Sequence, residues 1–282
     1  MFSTEKRAFI SVYALLFFLF YAPVAHGEWE RLNQGLELGS FLSPHISAGE
    51  TPMIRVLRID LQHYGIRLLN ASAKKDKRSM TAREWSRKYG LTAAINASMY
   101  QADHITSVSL MRTKGHINNP RLSKDKAILA FDRKGSNLPE VRIFDRQCDN
   151  VSELRNRFRT LVQSIRMISC RGTNVWQRQT EPWSTAALAI DRNGKILFIH
   201  VKVPHSTHDL INILQALPLA IDRAMYLEGG PEAQLFVQGD KKFYEFFGSY
   251  SGTFANTTSP GYAWPIPNIL GIIRKPTNSS GN

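Results

Sequence analysis

Apolar and polar positions alternate in short runs through most of the chain, the period-two pattern of half-buried strands. Residues 53–61 read M-I-R-V-L-R-I-D-L, and a second apolar run at 66–69 follows Tyr64-Gly65, which predicts a β-hairpin. Further strands are expected at 91–95, 108–111, 127–131, 141–144, 233–237, 243–247 and 268–273. The runs 185–190 and 195–201 flank Asp191-Arg192-Asn193-Gly194. Asn-Gly between two apolar runs is a strong hairpin signal. Helical patterns are fewer. Thr81-Ala82-Arg83-Glu84 is a capping box that opens a helix to Tyr89, and Gly90 ends it. Residues 151–158 also have helical spacing. Ser206 or Thr207 caps a helix to Leu217, with Asp209 at the positive end of its dipole and Pro218 as its stop. That helix lies between two apolar strands, which predicts a βαβ crossover. Residues 28–50 show no clear period and read as an irregular lead-in. Many strands and few helices predict an α+β fold, a single domain with a mixed β-sheet flanked by a few helices. Its main part is expected over 81–275, with 28–80 packed against it.

The first 27 residues break the pattern. Lys6 and Arg7 precede an apolar run over 8–22, and Ala25-His26-Gly27 places small residues where a signal peptidase reads. A secretory signal peptide is expected over 1–27. An uncleaved anchor is the alternative, but the run is short for a span of about 20 residues. No later run reaches that length, so the rest of the chain is expected to be exported, periplasmic or secreted, with no stable membrane span after cleavage.

The formal net charge of +13 favours anionic partners such as phosphates, acidic glycans or lipid head groups. Basic residues bunch locally at 74–78 and 155–159 without an aromatic-plus-basic motif, so nucleic acid is not an expected partner. The two cysteines, Cys148 and Cys170, are an even pair in an expected exported chain. They are expected to form a disulfide closing a loop of about 20 residues, worth about 3 kcal/mol. HExxH, Walker, GxGxxG and GxSxG motifs are absent from the sequence, so neither a metal nor a cofactor is expected. Oligomeric state is not legible.

Polar chemistry gathers at two strand ends. Met225, Tyr226 and Leu227 run into Glu228-Gly229-Gly230-Pro231-Glu232 before an apolar run resumes at Leu235. Acids at the end of a buried strand are costly unless paired, solvated or used. The glycines allow positive φ and close approach of a ligand to the backbone. The 91–95 run delivers Asn96-Ala97-Ser98-Met99-Tyr100, whose side chains supply uncharged donors and acceptors. A plain turn with solvated carboxylates is the simpler reading of the first, and side chains that only satisfy turn backbone that of the second. Gln163 and Arg166 stand in an apolar frame at 161–168, and His208 sits in the first turn of the expected helix after Pro204. A helix N-terminus with Ser, Thr and His can hold a phosphate. Phe254, Tyr262 and Trp264 border a Ser/Thr/Gly-rich loop at 249–262 that is a candidate cleft edge.

Four blocks together resemble the phosphodiester glycosidase family over 83–273. Residues 94–100, Ala-Ile-Asn-Ala-Ser-Met-Tyr, resemble its Asn-Gly-Gly strand end. Residues 185–191 resemble its Thr-Ala-Ile-Gly strand, residues 206–217 its following helix, and Leu227-Glu228-Gly229-Gly230 its Leu-Asp-Gly-Gly-Gly-Ser turn. Glu228 stands in place of Asp, Pro231-Glu232 in place of Gly-Ser, Ala97-Ser98 in place of a glycine pair, and Ser184 where many members have Arg. The pattern is similar to a bacterial envelope branch.

The resemblance implies hydrolysis of a sugar-1-phosphodiester at the glycosidic C–O bond through an oxocarbenium-like transition state. On this reading Glu228 is the carboxylate that stabilises the cation or activates water. Glu232 is its acid/base partner or a sugar ligand. Asn96, Ser98 and Tyr100 orient hydroxyls, Gln163, Arg166 and His208 are candidates for the phosphate, and Gly229 and Gly230 admit the substrate to the backbone. The mechanism requires the two strand ends to meet in one cleft. Two other classes compete. One is a non-catalytic envelope protein that binds anionic glycans or lipid head groups. The other is a metal-dependent phosphodiesterase using His200, His205 and His208.

Overall fold

The computed structural model describes residues 27–44, 53–249 and 263–276. The expected signal peptide, along with Phe254 and Tyr262, lies outside the described residues, apart from Gly27 at its end. In place of an irregular lead-in, the chain opens with a hairpin of β1 (Glu28–Asn33) and β2 (Leu36–Leu42). Gly35 turns it at φ +70, and Leu36 and Leu38 face the core while Trp29 and Phe41 meet edge to face on the other side. Gly39 and Ser40 dilute the alternation of β2, which hides it from a pattern search. β3 (Met53–Ile59) and β4 (Tyr64–Asn70) are both strands, but they do not form the expected hairpin. β3 pairs with β2, and β4 pairs with the last strand of the chain. The turn at Asp60 thus carries the chain from one sheet to another. Alternation fixes which face a strand buries and says little about its partner.

α1 (Ala82–Tyr89) forms with the expected reciprocal capping box between Thr81 and Glu84 and a left-handed Gly90 at its end. β5 (Ala93–Asn96), β6 (Met111–Arg112), β7 (Ile117–Asn119), β8 (Ala127–Arg133) and β9 (Val141–Asp145) follow. The helical spacing at 151–158 yields a single turn, α2 (Leu154–Arg157), before β10 (Phe158–Ser164) and β11 (Arg166–Ile168). β12 (Trp183–Asp191) and β13 (Ile196–His205) are the Asn-Gly hairpin, with Gly194 at φ +77. α3 (Thr207–Ala216) is capped by the Ser206 hydroxyl, which accepts from the Asp209 N–H. β14 (Ile221–Gly229), β15 (Gln234–Gln238), β16 (Phe243–Phe247) and β17 (Asn268–Arg274) complete the order.

The fold is α+β, mostly strand, and its strands divide among three sheets. One has the order β1-β2-β3-β13-β12-β14-β11, a second β7-β6-β10-β8-β9 and a third β16-β15-β5-β17-β4. The strand ladders are antiparallel throughout the described residues. β13 and β14 both run against β12, so they are parallel to each other, and α3 links them as a crossover over one strand.

All three sheets feed one core. Leu188, Phe198 and Leu227 from the first meet Ile95, Leu235 and Leu270 from the third and Leu129, Phe131 and Val162 from the second. Along β12, Ala186 and Leu188 face this core while Ala187 and Ala189 face α3 and its Leu210 and Leu214. The outer face of the third sheet is covered by Trp85 of α1. Burial of both faces explains why 185–190 and 224–227 are continuous apolar runs. Cys148 and Cys170 form the expected disulfide, Cα atoms 6.4 Å apart, tying the segment after β9 to the end of β11.

Candidate active site

β14 is buried from Ala224 to Leu227 and reaches the surface at Glu228. Its ladder with β12 slips there: Ala186 opposes Glu228 and Ala187 opposes Tyr226, so Leu227 is an extra residue. Such a bulge re-aims side chains at a strand end. Gly230, at φ +66, then leads into a single 3-10 turn over Gly230–Glu232, with Pro231 in its first half. The chain leaves this turn as β15, in another sheet. The two acids therefore stand where the chain passes from one sheet to the next.

The second strand end meets the first at this turn. β5 pairs with β15, which sets Asn96 beside it. The Asn96 amide donates to the Glu232 carbonyl at 2.9 Å and accepts from the Gln234 N–H at 2.7 Å. Asn96 is buried and works as a brace for the acidic turn. Ser98 is buried as well and donates to the Gln163 carbonyl at 3.2 Å. Its φ of +149 is a conformation that favours glycine, so the backbone keeps a glycine-like shape under a serine side chain.

A cavity of 340 Å³ opens over the turn, walled by Trp183, Tyr226, Glu228, Gly229, Gly230, Pro231 and Glu232. That size suits a single sugar ring, and its apolar walls with a few polar groups are typical of ligand sites. The Tyr226 hydroxyl lies where a side chain at 229 would begin, so Gly229 is required by close packing. Burial pushes the Glu228 carboxyl up to about 8; the Gly229 N–H, 3.1 Å from its Oε1, opposes this, and the neighbouring Glu232 charge adds to it. Glu232 is also raised by burial, with its own backbone N–H and the nearby His104 ring drawing it back. At neutral pH Glu228 therefore holds its proton, while the more open Glu232 is the readier carboxylate. Two acids with unequal environments are the usual basis of an acid/base division. The Tyr226 hydroxyl, buried and beside both acids, is pushed far up and stays a neutral hydrogen-bonding group.

The remaining sequence candidates are placed elsewhere. Tyr100 is half-buried and its ring lies 5.6 Å from that of His104, on the side of Glu232. Gln163 is fully buried, and its amide is taken by backbone: it accepts from Leu110 and Ser123 N–H and donates to the Ser123 and Asp125 carbonyls. It organises the core of the second sheet and has no path to a phosphate in the cavity. Arg166 binds both Asp145 oxygens at 2.7 Å and lies outside the cavity wall; against the upward pull of burial, the Gln147 N–H, Arg166 and the Cys170 N–H hold that carboxyl low. His208 is in α3 as expected, with Nδ1 3.2 Å from Asp209, and does not line the cavity. The three-histidine metal reading fails on geometry. His200 bonds the Ala233 carbonyl, His205 lies between Ser43 and the Val203 carbonyl, and His208 is on the helix. Among the described residues, one His/Cys/Asp/Glu grouping has metal-like spacing, Asp145 with Cys148 and Cys170, and its sulfurs are joined to each other.

Trp183, Tyr226 and His104 were not singled out by sequence reading. Tyr226 had a signal, since it lies two positions before Glu228 on the same strand. Trp183 and His104 reach the site only through tertiary packing.

A family model described as phosphodiester glycosidase matches residues 89–273. No curated protein matches the sequence. Among solved structures, the chain is similar to the zebrafish N-acetylglucosamine-1-phosphodiester alpha-N-acetylglucosaminidase catalytic domain auto-inhibited by its pro-peptide. The TM-score is 0.63 at 13% identity, covering 89% of both chains. A hypothetical protein from Synechocystis gives 0.58 at 12% identity, covering 90% of this chain and 64% of that one. A putative exported protein from Burkholderia pseudomallei gives 0.50 at 10%, covering 80% and 75%. At these identities the structural likenesses establish the fold.

Proposed function

Because the chain belongs to the phosphodiester glycosidase family, we propose that it is an exported hydrolase that cleaves a sugar-1-phosphodiester at the glycosidic C–O bond. Family and fold together support a glycosidase-type function. The observation that carries the reading is the pair of unequal acids, Glu228 and Glu232, in a sugar-sized cavity at the junction of two sheets.

The sugar lies against Trp183, Tyr226 and Pro231, which exclude water from its faces. The C1–O bond breaks with its electron pair leaving on the phosphate. Glu228, protonated, donates to the departing phosphate oxygen. Glu232, as carboxylate, stabilises the positive charge at C1 or takes a proton from the water whose oxygen bonds to C1. A phosphodiester is already a good leaving group, so a modest contribution from Glu228 suffices. Compared with the roles inferred from sequence, the acid and the carboxylate exchange places, because Glu228 is the more deeply desolvated. Tyr100 and His104 stand on the Glu232 side, where they contact sugar hydroxyls. Asn96 acts by positioning the turn. Export is supported by the charged and apolar leader in the sequence and by the disulfide. No helix among the described residues is long and apolar enough to cross a membrane.

Purified protein incubated with N-acetylglucosamine-1-phosphodiesters should release free sugar and phosphomonoester; Glu232→Gln should abolish release, and Glu228→Gln should slow it. Saturable binding of these compounds without product would instead support a binding protein.

A further inference from the structure

A second cleft, of 490 Å³, lies beside the acidic cavity. Its lining includes Lys124, Lys126, Arg166 and Arg178, with Asp125 as the one carboxylate. Lys124, Lys126 and Arg178 are exposed, and none of the three has an ion-pair partner among the described residues. Asp125 is held by the Ser109 and Ser123 hydroxyls at 2.5 and 2.7 Å. Arg166 is fixed from behind by Asp145, and its Nε is buried without a partner. With Arg166 neutralised by Asp145, the three exposed cations, set against one carboxylate already held by two hydroxyls, make a site for an anion.

The cleft and the cavity share a wall. Trp176 lines the cleft and Tyr226 lines the cavity, and their rings are 5.6 Å apart. The Trp176 indole is fixed by its bond to the Arg166 carbonyl at 2.9 Å, and the Tyr226 N–H by the Ile165 carbonyl at 2.9 Å. The Trp176–Tyr226 ring pair is thus the partition between the acidic cavity and the basic cleft. A single phosphodiester charge does not call for three uncompensated cations.

We propose that this cleft is the aglycone subsite of the same active site, and that it selects aglycones carrying at least one further phosphate or carboxylate beyond the scissile phosphodiester. The proposal rests on the hydrolase reading for its catalytic consequence but not for its binding consequence. The preferred substrate is then a sugar-capped polyanion.

The test compares two substrates with the same sugar-1-phosphodiester, one ending in glycerol and one in glycerol phosphate. Wild type should show a KM at least about tenfold lower for the anionic aglycone at 0.1 M salt. The preference should collapse at 1 M salt, where the Debye length shrinks from about 10 to 3 Å. The charge-reversed double variant Lys124→Glu/Lys126→Glu should lose the preference and keep kcat/KM for the glycerol substrate within about twofold. Equal KM values in wild type, or an equal loss on both substrates in the variant, would overturn the proposal while leaving the hydrolase reading intact. If neither substrate is turned over, the hydrolase reading fails and calorimetry with a glycerol phosphate trimer decides the cleft. Saturable binding that the double variant loses supports it, and absence of binding, or binding that the variant retains, refutes it. A source in free phosphate is separated from a polymer by repeating the titration with inorganic phosphate. Equal affinity for phosphate and the trimer counts against a polyanion subsite.

Discussion

Replacing Glu228 by glutamine should stabilise the protein, and increasingly so as pH rises. The ordinary carboxyl value of 4.5 is pushed up to about 8 in the folded state, chiefly by burial. Between these values the unfolded chain ionises at Glu228 while the folded chain keeps the proton. The folded state then binds more protons, so this group lowers stability as pH rises and its effect levels off above about 8. At 1.36 kcal/mol per unit, the full shift corresponds to about 5 kcal/mol. Glu228 is partly exposed at the cavity mouth, and water reaching it reduces this to about 2–3 kcal/mol. Glutamine has the same shape as the neutral acid and can still accept from the Gly229 N–H. Urea denaturation of wild type and Glu228→Gln at pH 4.5, 6.5 and 8.5 reads the difference directly. It should be near zero at pH 4.5, grow through 6.5 and reach about 2–3 kcal/mol in favour of the variant at 8.5. A difference independent of pH, or a variant less stable than wild type at 8.5, would refute the burial of an unpaired acid on which the site depends.

The same protonation governs catalysis: kcat/KM should fall as pH rises through about 8, when Glu228 loses its proton, and fall again in acid as Glu232 gains one. A rate that keeps rising above pH 9 contradicts the acid role. Asn96→Ala orphans the Gln234 N–H and the Glu232 carbonyl, so thermal or chemical unfolding should show a loss of about 2–4 kcal/mol along with reduced turnover. Asn96→Ala with native stability would remove the brace. Gly229→Ala places a methyl on the Tyr226 hydroxyl and should lower both the melting temperature and activity; adding Tyr226→Phe should restore part of the stability. No recovery in the double variant means the clash lies elsewhere. Reducing the Cys148–Cys170 bond, or Cys148→Ser/Cys170→Ser, should cost about 2–4 kcal/mol in urea unfolding.

Local signals were read well from sequence where their physics is local. The Thr81–Glu84 capping box, the Asn193-Gly194 turn and the Ser206 cap each act within a few residues, and each appears as expected. Pairing was less legible. β3 and β4 are neighbours in sequence with similar alternation, yet they join different sheets, because the choice of partner depends on a core drawn from all three sheets. The meeting of the two polar strand ends was required by the inferred mechanism rather than visible in either segment, and it is carried by one buried amide, Asn96. The fate of single polar side chains was not legible. Gln163 and Arg166 stand in similar apolar frames, but one is consumed by backbone groups and the other is anchored by Asp145 at a separate cleft. Nothing near them in sequence announces those partners, which lie between 21 and 53 residues away for the bonds that decide the matter.

Hydrolysis of a sugar-1-phosphodiester in ¹⁸O-labelled water tests the proposed chemistry most directly. Attack at C1 assisted by Glu228 and Glu232 leaves the released phosphomonoester unlabelled, with no isotope shift in its ³¹P resonance. Label in the phosphate would place the break at P–O and contradict a glycosidic mechanism at this pair of acids.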